Sequence, residues 1–425
     1  TFATAPPSGV IIEIRSVGFL NSGGTLAPAT LIGGTGISVV TNSPNNFTIS
    51  NTLVDVTVSF NTVTGQSLTY TAVSPISSIG QAGSIFPTTT FTVTKSGNTL
   101  SGTAVITGLP AGITSTQSYN NTNPSNILTI TLSGVYPSAN SVGTNLVISN
   151  LTVVQALIVD YLVVAGGGGG GINPNAGGGG AGGYRNSYNN ETSGGGNTAE
   201  STLTLTPSTN YTVTVGGGGA GSTSGASNGS NGLNSVFSTI ISTGGGGGGH
   251  NAGDGNSGGS GGGGGYINRS GGVGTANQGY SGGVSVNQAS NYGSSGGGGA
   301  GGTGSNGSGS STGNGGAGLA SSITGVSVVR ASGGSGGGNT ISPIVTPGGG
   351  SNNTSNATPN TGGGGGGGSN LPAPAQVNGR NGGSGIVILR YPSSFTISGL
   401  SGTTTSVGTD SVTTFLSGTG NIQFN

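Results

Sequence analysis

The sequence predicts an all-β protein, a β-sandwich module followed by a glycine-rich domain of short strands and packed polyglycine II helices. Three observations lead there. Between Leu53 and Gln155 apolar residues alternate in short segments with no helical period. Of the 99 glycines in 425 residues, 78 fall between residues 161 and 392. Within that block nearly every Val/Ile/Leu segment of strand length is followed by an uninterrupted glycine run.

Taken in order, residues 1–52 read as short extended pieces. The run 33–40 passes through the turn Asn42–Asn46 into Phe47–Ser50, a β-hairpin too small to bury a core alone. Its glycine-turn-strand style resembles the repeats of bacteriophage fibre shafts, which implies an attachment or shaft segment, and an ordinary hairpin leading into a domain is the alternative. Residues 53–155 carry strand-like segments at 54–60, 67–73, 90–94, 102–106, 127–132 and 146–154. That number and spacing fit a β-sandwich. The glycine block, 156–392, opens at Tyr161–Ala165 and closes at Gly385–Pro392. Between them the sequence predicts a hairpin of 201–206 with 211–215 across the turn Pro207–Asn210, then strands at 235–242 and 323–331. Residues 393–425 read as a separate set of C-terminal strands.

The glycine runs lie at 166–171, 177–180, 216–219, 244–249, 261–265, 296–299 and 362–368. Collagen requires glycine at every third position with abundant proline, so uninterrupted runs and 17 Pro in the whole chain exclude it. A flexible linker would leave such tracts unordered, but a linker has no reason to return repeatedly to β-branched segments. Extended left-handed polyglycine II helices packed side by side fit better. Without a Cβ they approach closely, pair N–H with C=O between neighbours and add weak Cα–H···O contacts. A run of about ten residues rises roughly 31 Å, enough to carry a loop from a strand base to an exposed tip.

Two further resemblances sharpen this. Ile106–Thr114, Leu128–Gly134 and Asn145–Ile148 resemble immunoglobulin-like modules of bacterial surface proteins, which implies a spacer or stalk. Tyr161–Gly166, Gly179–Arg185, Tyr211–Gly216, Asn231–Phe237 and Gly385–Pro392 resemble, in the family's order, the glycine-rich domain of tail fibres and virion surface proteins of marine phages. In related adhesin tips, packed polyglycine helices carry variable loops that touch the host receptor. The resemblance therefore implies a phage tail fibre or adhesin.

Composition closes most catalytic classes. The chain has seven Lys plus Arg, seven Asp plus Glu, one His and no Cys, Met or Trp. No thiol nucleophile, structural zinc site or disulfide framework can be built, and no basic stripe exists for nucleic acid. No stretch of 18 apolar residues spans a membrane. The chain opens on Thr1, which points to processing or to a piece of a longer chain. Repeated G-x-G-x-x-G matches carry no weight in sequence one-third glycine, so no cofactor is expected. Asp254 resembles one turn of a calcium-binding glycine repeat, but such repeats need Asp at regular spacing, and no metal site is expected.

What remains is recognition. Aromatic rings give contact area at low entropic cost, and Asn, Ser and Gly give adaptable hydrogen bonds. The inserts 184–190, 266–269 and 287–292 have that composition. The candidate receptor-binding residues are Tyr184, Arg185, Tyr188, His250, Tyr266, Arg269 and Tyr292, with the tyrosines expected at the far end of the glycine helices and Ser187 as a surface hydroxyl. Capping of the helix ends is the alternative role for these tyrosines. Tyr161, Tyr211 and Tyr391 are assigned to structural strands.

The expected function is a non-enzymatic extracellular fibre or adhesin on a virion surface. Expected partners are a host cell-surface glycan or outer-membrane protein and other virion or filament subunits, in a homo-oligomer with a trimer favoured. A purely structural surface protein, such as a head or neck fibre or a cellular filament subunit, is the alternative.

Overall fold

The computed structural model describes residues 37–43, 46–51, 56–61, 69–72, 85–96, 98–101, 105–107, 112–120, 125–135 and 146–425, apart from 173–174, 287–292, 310, 339–346, 351–354 and 370–377. The chain divides into two compact units, Thr1–Ala156 and Leu157–Asn425.

In the first unit β1 (Ile37–Ser43) and β2 (Asn46–Asn51) form an antiparallel hairpin. One sheet joins β3 (Val56–Asn61) in parallel to β10 (Leu146–Gln155), which also pairs with β6 (Asn98–Ser101) and β7 (Val105–Thr107). A second sheet runs β4 (Thr69–Ala72), β5 (Ile85–Ser96), β9 (Ser125–Val135) and β8 (Ile113–Asn120). Alternate residues Leu128, Ile130 and Leu132 of β9 are buried, as the strand period requires. β8 gives no strand signal in the sequence because its Ser/Thr/Gln composition lacks an apolar alternation.

The second unit is built on two sheets. One contains β12 (Tyr184–Asn186), β11 (Leu157–Val164), β19 (Ile386–Pro392), β22 (Asp410–Phe415) and β21 (Thr403–Val407), with β13 (Leu203–Leu205) also paired to β11. The other runs β16 (Ile240–Ser242), β15 (Ser235–Phe237), β14 (Tyr211–Thr214), β23 (Thr419–Phe424) and β20 (Ile397–Gly399). Their facing sides share a core in which Leu157, Val159, Tyr161 and Val163 of β11 meet Val213, Phe237, Ile422 and Phe424. Tyr391 packs edge-on against Phe424 at 5.1 Å. β11 buries its other face too. Leu162 and Val164 join Ile386, Ile388 and Val412 against Ala181, Ala300 and Ala331, where the glycine runs begin.

Several expectations are corrected. β13 and β14 do not form a hairpin but lie in different sheets. The Pro207–Asn210 turn carries the chain from one sheet to the other, and the Tyr211 hydroxyl closes the corner on the backbone of Thr206. The expected strand 235–242 is a tight hairpin, reversing at Ser238 with φ +53. Within 323–331 only β18 (Val328–Arg330) is strand, paired with β17 (Leu319–Ser321). Residues 393–425 are not separate, because β22 pairs with β19 over six positions and β23 pairs with β14.

Candidate functional site

The strands feed a lattice of glycine helices. β11 enters run 165–171, β14 enters 216–222 and β16 enters 244–249, while runs 176–183, 228–234 and 378–385 return into β12, β15 and β19. Run 165–171 shows the packing rule. The N–H groups of Ala165, Gly168 and Gly171 donate to carbonyls of Gly183, Gly180 and Gly177. Those of Gly166 and Gly169 donate to Leu233 and Ser230, and those of Gly167 and Gly170 to Gly383 and Arg380, at 2.9–3.0 Å. In the opposite sense its carbonyls accept from Gly245 and Gly248, Gly219 and Ser222, and Gly365 and Gly368.

Every partner recurs at a spacing of three, so one run has six neighbours, three antiparallel accepting and three parallel donating. That is the three-residue screw of polyglycine II. Glycine is required here for space and not for a left-handed φ. At Gly166 through Gly171 a Cβ would sit under 3.0 Å from a neighbour's backbone carbonyl, and none of these glycines has a positive φ. The six intervals of the run rise about 19 Å.

Runs at the surface carry side chains where they face water. In 253–258 Asp254 and Ser257 are exposed, and in 270–274 Ser270 and Val273 are exposed while Gly272 is buried. Asparagines close the lattice edge. The Oδ1 atoms of Asn231, Asn234 and Asn381 accept from the N–H groups of Gly247, Gly244 and Gly221 at 2.8–2.9 Å.

The lattice separates the candidate residues into two groups. Tyr184, Arg185 and Tyr188 lie at the strand base, which corrects their expected position at a distant tip. They sit on or beside β12, which run 176–183 enters on its way back. Tyr184 is fully buried among Leu162, Val164 and Ile388, and burial pushes its phenol up. Arg185 grips Glu200 in a two-pronged ion pair at 2.6 and 2.9 Å, and Glu200 also accepts from the Tyr161 hydroxyl at 2.9 Å. Tyr188 lies under the Arg390 guanidinium, 4.9 Å from ring centre to Cζ, and accepts a hydrogen bond from its Nη1. Arg390 also pairs with Asp410 at 2.8 Å.

Ser187 is likewise not a surface hydroxyl. Its Oγ accepts from the Tyr161 N–H and donates to Asp160 Oδ1, and the residue is buried. Burial raises the Asp160 carboxyl. Burial also pushes Glu191 up, but hydrogen bonds from Ser321, Ser322 and Asn186 outweigh it and leave that carboxyl below its ordinary value. The roles of Tyr161, Tyr211 and Tyr391 are structural: Tyr161 and Tyr391 fill the core and Tyr211 packs against it.

His250, Tyr266 and Arg269 occupy the opposite end of the lattice. Gly171 donates to Gly177, Gly177 to Gly249 and Gly249 to Gly263, which puts all four at the outer level of the runs. The chain reverses just beyond, at 250–252 and 266–269. Asn228 Nδ2 donates to Asp254 O and to Asn256 Oδ1, which orients its Oδ1 toward the N–H and ring Nδ1 of His250 at 2.9 and 2.8 Å. The His250 Nδ1 therefore donates to Asn228 Oδ1, which fixes the ring's orientation.

Tyr266 N–H donates to Asn251 O, which ties the two loops together. Ile267 and Asn268 have φ +56 and +50, and Ile267 is exposed. A β-branched residue in that conformation is strained, so the loop is held by its flanks. Arg269 N–H donates to Ser285 Oγ and its carbonyl accepts from Ser285 N–H, so the run that contains Ser285 lies alongside. Tyr292 lies outside the described residues.

Asn228 and Ile267 are not legible in the sequence, because one Asn among many and one isolated Ile carry no local signal. Asp254 Oδ1 accepts from Ser270 N–H, and among the described residues no group of three His, Cys, Asp or Glu could hold a metal ion. Compared with known proteins, residues 140–392 match the family described as a glycine-rich domain. No curated protein and no solved structure matches.

Proposed function

The chain belongs to the glycine-rich domain family, which matches more than half of it, and on that premise we propose a non-enzymatic extracellular adhesin carried on a virion surface fibre. In this reading the immunoglobulin-like segment 53–155 is a stalk, and the glycine lattice presents loops to a host cell-surface glycan or outer-membrane protein. One observation carries it. The cross-bonded lattice sets the row Asn228, His250, Tyr266, Ile267 and Arg269 about 19 Å from the strand base, at the end where successive runs reverse. Such a scaffold holds variable loops at little entropic cost on binding, because the runs beneath them are already ordered. Assembly with further copies, as a trimer or with other fibre subunits, would multiply a weak single contact.

The second reading, a purely structural fibre or filament subunit, is favoured by the placement of Tyr184, Arg185 and Tyr188 in the base. Attachment separates the two. The purified protein and its His250→Ala/Tyr266→Ala/Arg269→Ala variant are applied to a panel of intact bacterial cells, with melting temperature measured in parallel. The adhesin reading expects attachment to some members, lost in the variant without a change in melting. Wild-type protein that attaches to none, or a stable variant that attaches as well as wild type, overturns it.

A further inference from the structure

The glycine block contains six Asn-Gly pairs, of which five, those at Asn228, Asn231, Asn306, Asn378 and Asn381 and not Asn314, are at issue. This is the dipeptide in which an unshielded glycine nitrogen most readily attacks the preceding side chain. In that reaction the glycine N–H loses its proton and the nitrogen bonds to Asn Cγ. The Cγ–NH2 bond breaks, ammonia leaves, and water then opens the cyclic imide to Asp or isoaspartate. Isoaspartate adds a methylene to the backbone and a negative charge to the side chain. In a lattice whose partners recur every third residue, the added methylene would put the rest of a run out of register.

The lattice nevertheless requires these pairs. Asparagine is needed at the boundary because its amide reaches a neighbouring N–H: Asn228, Asn231, Asn306 and Asn381 accept through Oδ1 from His250, Gly247, Val284 and Gly221. Glycine is needed next because a Cβ at 229, 232, 307, 379 or 382 would come under 3.0 Å from a neighbour's backbone.

We propose that the same contacts block the cyclisation they invite. The N–H groups of Gly229, Gly232, Gly307, Gly379 and Gly382 donate to the carbonyls of Gly248, Gly245, Val284, Ser222 and Gly219 at 2.9–3.2 Å. In four of these five pairs the Asn carbonyl oxygen is also engaged, away from its own following amide. To react, the side chain must fold back and the glycine nitrogen must turn toward it, which breaks both bonds and lifts the run out of the lattice. Cyclisation is then limited by local opening. The surface is chemically durable although its sequence is labile.

The test uses the full chain, held in mildly alkaline buffer either folded or unfolded in guanidinium, with isoaspartate at each junction quantified by peptide mass spectrometry. The unfolded chain should convert at Asn228, Asn231, Asn306, Asn378 and Asn381, and the folded chain about 100-fold more slowly at each, as an opening population near one per cent implies. Conversion of any of the five in the folded chain within about threefold of its unfolded rate overturns the proposal.

Discussion

Replacing Gly168 by Ala tests whether glycine serves the lattice as space. Gly168 donates to Gly180 O and accepts from Gly365 N–H, and its Cβ would fall under 3.0 Å from Gly246 O, Gly246 C and Gly245 O. All three atoms are backbone, held by their own hydrogen bonds, so no side chain can rotate away. Overpacking of this kind costs about 1–3 kcal/mol. Losing the two hydrogen bonds adds about 1 kcal/mol each, for a total of about 3–5 kcal/mol.

At about 2–4 °C per kcal/mol for a unit of this size, the melting temperature should fall by about 10 °C. Gly217 is the control. Its Cβ would meet only Leu233 Cδ1, at 3.9 Å, and its φ is not positive, so alanine there should stabilise by about 0.4–1 kcal/mol through the unfolded chain. Differential scanning calorimetry of both variants decides. If Gly168→Ala melts within about 2 °C of wild type, or Gly217→Ala falls as far, the space argument is wrong.

Two further outcomes follow from the base. Tyr184→Phe should change melting little, because the buried hydroxyl has no well-aligned hydrogen bond and only a weak contact with Ser321, whereas Tyr184→Ala should cost about 3–5 kcal/mol by opening a cavity, read by denaturant titration. The folded Glu191 carboxyl lies below its ordinary value, so its contribution to stability is present above about pH 4.5 and is lost as pH falls through the folded value. Asp160 is raised by burial and has the opposite sign. Between about pH 6 and about pH 3, Glu191→Gln should therefore lose less melting temperature than wild type and Asp160→Asn more; identical slopes would refute the assignment.

How much was legible follows from the range of each signal. Tyr161–Val164 and Ile386–Leu389 read as strands from their own composition, and the uninterrupted runs read as polyglycine because no other ordered structure tolerates them. The role of Tyr184 was not legible. A tyrosine after a glycine run looks the same whether the run is leaving the base or returning to it, and only the pairing of β12 with β11 shows that it returns. The false hairpin of 201–215 has the same origin, since both segments are strand-like and only their partners distinguish one sheet from two.

The sequence by itself determined that the protein is all-β, that its glycine block is ordered around strands, and, since it holds no Cys, that thiol chemistry is closed to it. These follow from composition and short-range alternation, which act within a few residues. The tertiary structure alone decided which runs are interior, which Asn caps which amide, and which candidate side chains reach the outer end. Those outcomes depend on neighbours far apart in the chain, such as Gly167 with Gly383 and Ala165 with Gly183. A backbone without side chains carries no local mark of which neighbour it will meet, because every run offers the same N–H and C=O groups at the same spacing of three.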